Sequence, residues 1–266
     1  NARTIIHSAT KPDSGFIQER EKKIPVIKDV DILVVGGTSA AVAAAGAASR
    51  AGSKVFLIAP LSYLGNDVCG SFRITCDDNK LLDNPLSKRL FLPGKNPTPL
   101  FIKTELENEL IDNDVDFLYS SYVTNILVDE KDTPCGIVIT NRSGRQAIRC
   151  KAIIDATHTA SVARVAGVRF TDFKAGEYAF NFVTVGSEPQ TIPGAKSEKT
   201  PYAVTVKNKQ LPVVRYTFQL HVKDDSYATV QEIEQTIRDM TWTPDQSDSS
   251  DILEYIPFVS IVSERE

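Results

Sequence analysis

The stretch that most constrains the fold is DILVVGGTSAAVAAAGAASRAGSKVFLIAP, residues 31–60. Residues 32–35 are a short unbroken apolar run, the pattern of a parallel strand that is buried on both faces. A glycine pair follows, and residues 40–51 are rich in alanine, the best helix former. Gly52 is placed to end that helix, and residues 55–58 form a second apolar run. The stretch therefore predicts a strand, a glycine turn, a helix and a second, parallel strand.

The turn of this unit has the chemistry of a phosphate site. Unpaired N–H groups and partial positive charge at a helix start attract a pyrophosphate, and glycine lets the backbone come close. The usual pattern is G-x-G-x-x-G, whereas residues 36–41 place Thr38 and Ala41 at the second and third glycine positions. Ala41 still allows close packing, and the Thr38 hydroxyl is able to donate to a phosphate. Ser39 is the expected helix cap. The acidic residue expected after the second strand, which binds a ribose, is replaced by Ala59.

Composition and charge narrow the function classes. The chain has 266 residues, enough for one large or two small domains, with 42% hydrophobic and 24% charged residues, as in ordinary globular proteins. Its net charge of -4 does not favour nucleic acid or an anionic membrane as a partner. No apolar run reaches the roughly 20 residues that span a bilayer. Composition and charge therefore predict a globular protein that has neither nucleic acid nor a membrane as its partner.

The first residue of the chain bears on how the protein is processed, and its cysteines bear on metal binding and redox chemistry. The chain begins at Asn1 and its only methionine is Met240, which predicts either removal of a leader, with export, or a trimmed sequence. No C-x-x-C motif and no histidine at ligand spacing occur, so no metal site is expected. Isolated structural thiols are the expectation for the four cysteines, and a Cys69–Cys76 bridge is the alternative in an exported protein. The others are Cys135 and Cys150.

The remaining pattern predicts an arm, more strands and helices, and a second domain. Helices are expected over residues 80–92 (interrupted at Pro85), 98–113, 160–166 and 227–240. Strands are expected over residues 116–120, 123–128, 136–140, 145–150, 152–156, 180–185, 202–206 and 213–222, with a loop over 186–201. The expected domains are an arm (1–28), a cofactor domain (29–170), a substrate or lid domain (171–255) and the start of a return segment (256–266).

The order of these pieces resembles the glutathione-reductase-type FAD-dependent oxidoreductases. More narrowly, residues 31–60 with SYLGNDVCG soon after look like a bacterial group of FAD-dependent oxidoreductases in which a GGT-type turn occurs. The stretch AIIDATHTASVARVAGVRF resembles the second flavin motif of that family, an apolar strand followed by A-T-G-D. The resemblance covers residues 30–167 well. It implies an α/β, Rossmann-like FAD/NAD(P)-binding fold with a central parallel sheet and a β-meander, plus a mostly antiparallel β region.

The resemblance also implies a set of FAD-binding residues from several segments, and it implies no catalytic residue. The pyrophosphate would face Gly36, Gly37, Thr38, Ser39 and Ala40, and the adenosine ribose would lie beside Ala59 and Pro60. The flavin side would be approached by Leu64, Gly65 and Asn66, the adenine by the Val123 backbone, and the diphosphate-ribityl part by Ala156 and Thr157.

Three residues depart from the family pattern. Ala59 replaces the ribose acid, while His158 and Thr159 replace the Gly and Asp of A-T-G-D. Each lost hydrogen bond costs on the order of 1 kcal/mol, and two or three losses would lower affinity by about 10- to 1000-fold. A late segment that completes the flavin pocket in the family is also missing after residue 257, which predicts a C-terminal continuation, a second chain or an incomplete pocket.

Three functions remain open on the sequence. The first is an FAD-dependent oxidoreductase that transfers hydride between a small organic substrate and the flavin. The second is a degenerate flavoprotein-fold domain that no longer binds FAD and serves as a binding or structural module, motivated by Ala59, His158 and Thr159. The third is an NAD-dependent dehydrogenase, which the meander and the second A-T-x-x turn fit less well.

Overall fold

The structure is a computed structural model that describes residues 3–5, 21–74, 84–91 and 97–256. The chain divides into two compact units. Of the described residues, the first unit comprises 3–5, 21–65 and 103–169, and the second comprises 66–74, 84–91, 97–102 and 170–256. A seven-stranded sheet and a five-stranded sheet, together with helices, make up the fold. This is the expected α/β class, a Rossmann-like sheet with a meander and a mostly antiparallel second region.

Five α-helices are described. They are α1 (Ser39–Arg50), α2 (Pro85–Leu90), α3 (Pro99–Asp112), α4 (Ser161–Val165) and α5 (Tyr227–Thr241). No helix among the described residues is long and apolar enough to cross a membrane.

The seven-stranded sheet combines parallel and antiparallel strands. Its members are β1 (Arg3–Ile5), β2 (Val26–Val35), β3 (Val55–Ile58), β4 (Asp116–Leu118), β5 (Tyr122–Val128), β6 (Pro134–Asn141) and β7 (Gly144–Asp155). They lie in the order β1-β5-β6-β7-β2-β3-β4, and the four strands from β7 to β4 are parallel. Strands β5, β6 and β7 form the expected antiparallel meander.

Burial explains the apolar runs in the sequence. Leu33, Val34 and Val35 of β2 are buried, as are all four residues of β3, because β2 lies between two parallel neighbours in the middle of the sheet. The expectation of two separate strands over 145–150 and 152–156 is wrong. A single strand, β7, runs through both, since its first part pairs with β6 and its later part with β2.

Two local expectations at helix starts are corrected. Thr38, not Ser39, is the N-cap of α1, because the Thr38 side chain accepts from the Ala41 amide and Ser39 is already helical. Pro85 does not interrupt a helix. It occupies the first turn of α2, where a missing N–H costs nothing, with Asn84 as the cap. Residues 75–83 and 92–96 lie outside the described part of the chain.

The second unit is built on the five-stranded sheet. Its strands are β8 (Gly176–Val185), β9 (Ala195–Val206), β10 (Lys209–Val222), β11 (Asp248–Ser249) and β12 (Glu254–Ile256). Their order is β11-β8-β10-β9, and β12 also pairs with β8. The loop expected over 186–201 is shorter in the structure, because β9 already begins at Ala195 and pairs with β10 there. Helix α5 packs Ile233 and Ile237 onto one face of this sheet.

Candidate functional site

The loops at the carboxyl ends of the four parallel strands are joined by backbone hydrogen bonds. The Ala156 amide, after β7, donates to the Val35 oxygen at 2.8 Å, and the Gly36 amide, after β2, donates to the Ile58 oxygen at 2.8 Å. Farther along, the Gly65 amide donates to the Gly37 oxygen at 2.6 Å. Ligands of open α/β sheets bind at this edge, so the loops form one continuous candidate site.

Gly36 is required by the neighbouring loop. Its φ is +138°, and a Cβ built on it would lie 2.3 Å from the backbone oxygen of Ala156 and 3.1 Å from the amide nitrogen of Thr157. No side chain fits in that space. The glycine therefore allows the turn after β2 to touch the turn after β7, backbone against backbone.

Thr38 occupies the second glycine position and is almost fully buried, with 6% exposure. Its hydroxyl accepts from the Ala41 amide at 3.1 Å and donates to the Ala156 oxygen at 3.1 Å. A hydroxyl has one proton to donate. In the structure this hydrogen bond goes to the Ala156 oxygen, and the expected donation from Thr38 to a phosphate stays a prediction.

The start of α1 fits an anionic group. The helix has 12 residues and carries no acidic side chain in its first turn, so its N-terminal partial charge is not offset locally. Gly37 is buried, Ser39 is half-buried and Ala40 is exposed. All three have small side chains or none, which leaves the helix start open to a pyrophosphate. The residues present thus fit the phosphate part of a dinucleotide.

Position 59 offers no polar group to a ribose. Ala59 has no exposed surface, its amide donates to the Leu118 oxygen at 2.9 Å, and its oxygen accepts from the Ser121 amide at 3.1 Å. Pro60 beside it is half-buried. Val123, the expected adenine neighbour, is partly buried and packs against the core of the first unit. Position 59 itself therefore offers neither a carboxylate nor an unpaired backbone group to a ribose.

Asp155 organises the turn after β7. This residue is not one of the expected cofactor-binding residues of the second flavin motif. The Thr157 amide and hydroxyl donate to Asp155 Oδ1 at 3.0 and 2.6 Å, and the Ala163 amide donates to Asp155 Oδ2 at 2.9 Å. The Thr157 hydroxyl in turn accepts from the Ser161 amide at 2.8 Å. The signal in the sequence was a carboxylate directly before the A-T pair. The carboxylate of Asp155 thus holds the turn in place by hydrogen bonds. In the family pattern the acid stands instead at the position of Thr159.

The two departures in this motif lie at the surface. His158 and Thr159 are both exposed, and the Thr159 oxygen accepts from Arg164 Nε at 3.0 Å. Ala160 next to them has a φ of +49°, a left-handed conformation that is unusual for alanine. His158 therefore does not fill the space between the two turns, which is occupied by the contact of Gly36 with Ala156.

The loop after β3 brings two more expected residues, Leu64 and Gly65, to this edge. Leu64 is fully buried, and Gly65 has a φ of +79° with its amide on Gly37. The Lys103 ammonium lies over the ring of Tyr63 in this loop, 3.7 Å from the ring centroid. Asn66 begins a π-helical turn (Asn66–Gly70) and belongs to the second unit. Its buried Oδ1 has no hydrogen-bond partner among the described residues.

The described thiols near the sheet have the properties of structural groups. Burial raises the pKa of the Cys150 thiol to about 12, and burial with a smaller contribution from Asp129 raises the pKa of Cys135. Cys69 is buried, with its sulfur 3.5 Å from the Pro99 oxygen. Cys76, and with it the alternative Cys69–Cys76 bridge, lies outside the described residues. Among the described residues, no group of three or more His, Cys, Asp or Glu side chains is arranged to hold a metal ion.

A single tyrosine next to the site also has a shifted pKa. Tyr119 follows β4 and donates to Glu107 of α3. Burial, followed by this hydrogen bond to a carboxylate, raises the pKa of Tyr119 above its usual range. The phenol therefore stays protonated and holds the loop after β4 to α3.

Comparison with protein families identifies one match. A family model described as FAD dependent oxidoreductase matches residues 31–248. A search of the curated proteins by sequence finds no match.

Comparison with solved structures finds similar folds at low identity. The aromatic hydroxylase CabE from angucycline biosynthesis aligns with a TM-score of 0.55 at 15% identity, over 90% of this chain and 55% of that one. The anhydrotetracycline hydroxylase OxyS from Streptomyces rimosus aligns with a TM-score of 0.52 at 13% identity, over 89% and 54%. A geranylgeranyl bacteriochlorophyll reductase-like protein from Thermoplasma acidophilum aligns with a TM-score of 0.51 at 17% identity, over 86% and 66%. The chain spans about half the length of the two hydroxylases, and at these identities the likeness is one of fold.

Proposed function

The chain belongs to the family of FAD dependent oxidoreductases, and we propose that it transfers hydride between a small organic substrate and FAD. Membership of the family makes FAD the cofactor and oxidoreduction the general chemistry. The transfer of a hydride, and a small organic molecule as its source or destination, are the specific proposal. FAD, when bound, supplies the group that accepts or donates the hydride.

The observation that carries the proposal is the join between the two expected flavin motifs. Gly36 and Thr38 of the first motif both contact the Ala156 oxygen of the second. This join supports a pyrophosphate position at the start of α1, where the backbone of Gly37, Ser39 and Ala40 would hold it. Thr38 would act indirectly, by fixing the cap of the helix rather than by touching the phosphate.

The remaining expected residues would bind and orient the other parts of FAD. Ala156 and Thr157 would contact the diphosphate-ribityl part through a turn that Asp155 holds rigid. Leu64 and Gly65 would lie toward the flavin, where buried apolar surface excludes water.

The adenosine end is where we expect binding to be weak. Ala59 provides no carboxylate for the ribose, and its backbone groups are already paired with Leu118 and Ser121. A hydrogen bond to a charged group contributes about 1.5–3 kcal/mol, so its loss corresponds to roughly 10- to 100-fold in affinity. We expect FAD to bind, with an affinity lower than in relatives that keep the acid.

The test is the cofactor content of the purified protein. A yellow protein with flavin absorption, which releases FAD on denaturation, is the expected result. If the protein is purified colourless, it is titrated with FAD and with NAD separately, following quenching of flavin fluorescence for FAD and calorimetry for both. Binding of FAD and not of NAD supports the proposal. Failure of both nucleotides to bind would remove it for this chain, and binding of NAD alone would favour a dehydrogenase.

A degenerate, cofactor-free domain is the rival function, and the enclosed side chain of Ala59 is the observation that favours it. Restoring the family residues in the exposed turn, with His158→Gly and Thr159→Asp, is the cleanest repair because both positions are at the surface. Ala59→Glu restores the ribose acid but must place a carboxylate at a buried position, so its stability is measured in parallel. If the wild type is colourless and the repaired variant binds FAD, the site is eroded. If neither the wild type nor the repaired variant binds FAD, the domain has a function that does not use this cofactor.

A further inference from the structure

The two faces of the sheet in the second unit differ sharply. One face is apolar and is covered by α5, with a core formed by Phe180, Phe182, Tyr216 and Phe218. The other face carries polar side chains in the middle of the same strands, Asn181 and Thr217, although Val183, Val185 and Val213 are buried at one end of it. Asn181 and Thr217 are not explained by packing in the hydrophobic core, so these polar side chains must be explained in another way.

A single register row crosses this polar face on four strands. Asn181 of β8 lies opposite Glu254 of β12 on one side and Thr217 of β10 on the other, and Thr217 lies opposite Lys196 of β9. Residues in one row of an antiparallel sheet have neighbouring side chains. Four polar side chains are therefore placed side by side across the whole sheet.

Hydrogen bonds connect three members of this row to Arg73. Thr217 Oγ1 donates to Asn181 Oδ1 at 2.9 Å, and Asn181 Nδ2 donates to Glu254 Oε2 at 3.4 Å. The other carboxylate oxygen, Glu254 Oε1, accepts from Arg73 Nη1 at 2.6 Å. The chain of contacts runs from the middle of the sheet to one guanidinium, and each member holds the next in place.

The segment that carries Arg73 is also fixed to the sheet. The Tyr202 hydroxyl donates to the Phe72 oxygen at 3.2 Å, and the Ser250 hydroxyl donates to the Ser71 oxygen at 3.4 Å. The Asp251 amide donates to the Gly70 oxygen at 2.7 Å. Backbone contacts thus fix the residues directly before Arg73, and the side-chain row fixes its guanidinium.

Stability alone is a weak reason for this arrangement. The Arg73 side chain is 61% exposed, and an ion pair that open to water contributes about 0–1 kcal/mol. Only one nitrogen of the guanidinium is used, since Nε and Nη2 of Arg73 bond to no other described residue. A planar donor group with a fixed orientation and unused N–H groups is suited to a planar anion, which accepts two parallel hydrogen bonds.

We propose that Arg73, held by Glu254, Asn181 and Thr217, binds the carboxylate of a small organic ligand on the polar face of the second unit. Glu254 has two roles in this site. It orients the guanidinium, and its negative charge weakens the binding of a second carboxylate. The site therefore binds a carboxylate weakly and reversibly, as suits a substrate or product. The carboxylate as the substrate class rests on the proposed oxidoreductase function, whereas the binding itself does not.

The test measures binding without turnover, so its failure is distinct from failure of the FAD assay. Benzoate is titrated into the protein and followed by NMR, and benzamide serves as the uncharged probe of the same shape. Benzoate is expected to bind saturably and benzamide not. Arg73→Ala is expected to weaken benzoate binding by about tenfold or more. Arg73→Lys is expected to weaken it by several-fold, because the lysine ammonium lacks the planar pair of N–H donors of a guanidinium. Absence of saturable benzoate binding, or equal binding to wild type and Arg73→Ala, overturns the proposal.

Two further variants sharpen the result. Arg215→Ala is the matched control, since Arg215 lies on the same face in the neighbouring row and pairs with Glu198 at 3.7 Å. It is expected to leave benzoate binding unchanged, and an equal loss in Arg215→Ala would indicate general charge attraction and contradict a site at Arg73. Glu254→Gln keeps a hydrogen-bond acceptor but removes the charge. It is expected to tighten benzoate binding by several-fold, and unchanged or weaker binding would contradict the claim that the charge of Glu254 opposes the bound carboxylate.

Discussion

The hydroxyl of Thr38 donates a hydrogen bond to the backbone oxygen of Ala156, 118 residues farther along the chain, at 3.1 Å. The same oxygen lies 2.3 Å from the position that a Cβ on Gly36 would take. The Ala156 carbonyl therefore explains why the GGT turn has a glycine at position 36 and a threonine at position 38. The glycine leaves room for it, and the threonine hydrogen-bonds to it while capping α1.

Removing the Thr38 hydroxyl is expected to destabilise the protein. Thr38→Val keeps the shape but leaves the Ala41 amide and the Ala156 oxygen without their partner, at a cost of about 1–3 kcal/mol. Thr38→Ser, the matched control, keeps both hydrogen bonds and is expected to lose less than about 1 kcal/mol. Urea denaturation of the three proteins measures the difference. Equal stability of Thr38→Val and wild type would contradict this role.

Adding a methyl group at Gly36 is expected to destabilise the protein strongly. Gly36→Ala would force the Ala156 backbone away, so we expect a loss of more than about 3 kcal/mol or failure to fold. Gly144→Ala is the control, because Gly144 also has a positive φ, +87°, but nothing lies within 4 Å of its Cβ position. It is expected to cost only about 1–2 kcal/mol. Thermal unfolding of both variants separates crowding from backbone strain, and similar losses would argue against crowding.

Asp155 is expected to be the residue on which the second turn depends. In Asp155→Asn one oxygen still accepts from Thr157, but the amide group replaces the oxygen that accepts from the Ala163 amide. The loss of that bond and of the charge should cost about 1–3 kcal/mol. Hydrogen exchange is expected to be faster at the amide of Ala163 and unchanged in α5. Unchanged exchange at the Ala163 amide would show that the carboxylate does not hold the turn.

Acid stability is expected to depend on Asp224 at the start of α5. The hydroxyls of Ser226 and Thr229, followed by the Ser226 amide, donate to this carboxylate and lower its pKa from 3.8 to about 2. Because the pKa is lower in the folded state, the stabilisation is fully present above pH 4 and is lost as the pH falls toward 2. Asp224→Asn should therefore unfold at a lower temperature than wild type at pH 5, with the difference shrinking toward pH 2. A difference that stays constant over this range would contradict the assignment.

The elements with strong local patterns were predictable. The βαβ unit, the meander and α5 follow from apolar runs and from periodicity, which depend only on neighbouring residues. The errors lie where a local signal was ambiguous. Ser39 and Thr38 are both good caps, and only the hydrogen bond to the Ala41 amide decides between them. Similarly, Pro85 is typical both of a break and of the first turn of a helix.

The site shows the same division. The sequence placed the candidate cofactor residues at the turns that follow β2, β3 and β7, because parallel strands bring their carboxyl ends to one edge. It did not indicate that Asp155 organises its turn, because that depends on where the amides of Thr157 and Ala163 point.

By itself, the sequence determined the α/β class, the order of the main strands and helices, and the edge at which a cofactor is expected, since each follows from local periodicity and glycine turns. The tertiary structure decided which groups meet across long separations. It directs the hydrogen bond of the Thr38 hydroxyl to the Ala156 backbone oxygen. It also links the side chain of Arg73 through those of Glu254 and Asn181 to Thr217. Such contacts depend on strand register and on backbone direction at turns, and no local pattern of residues encodes either one.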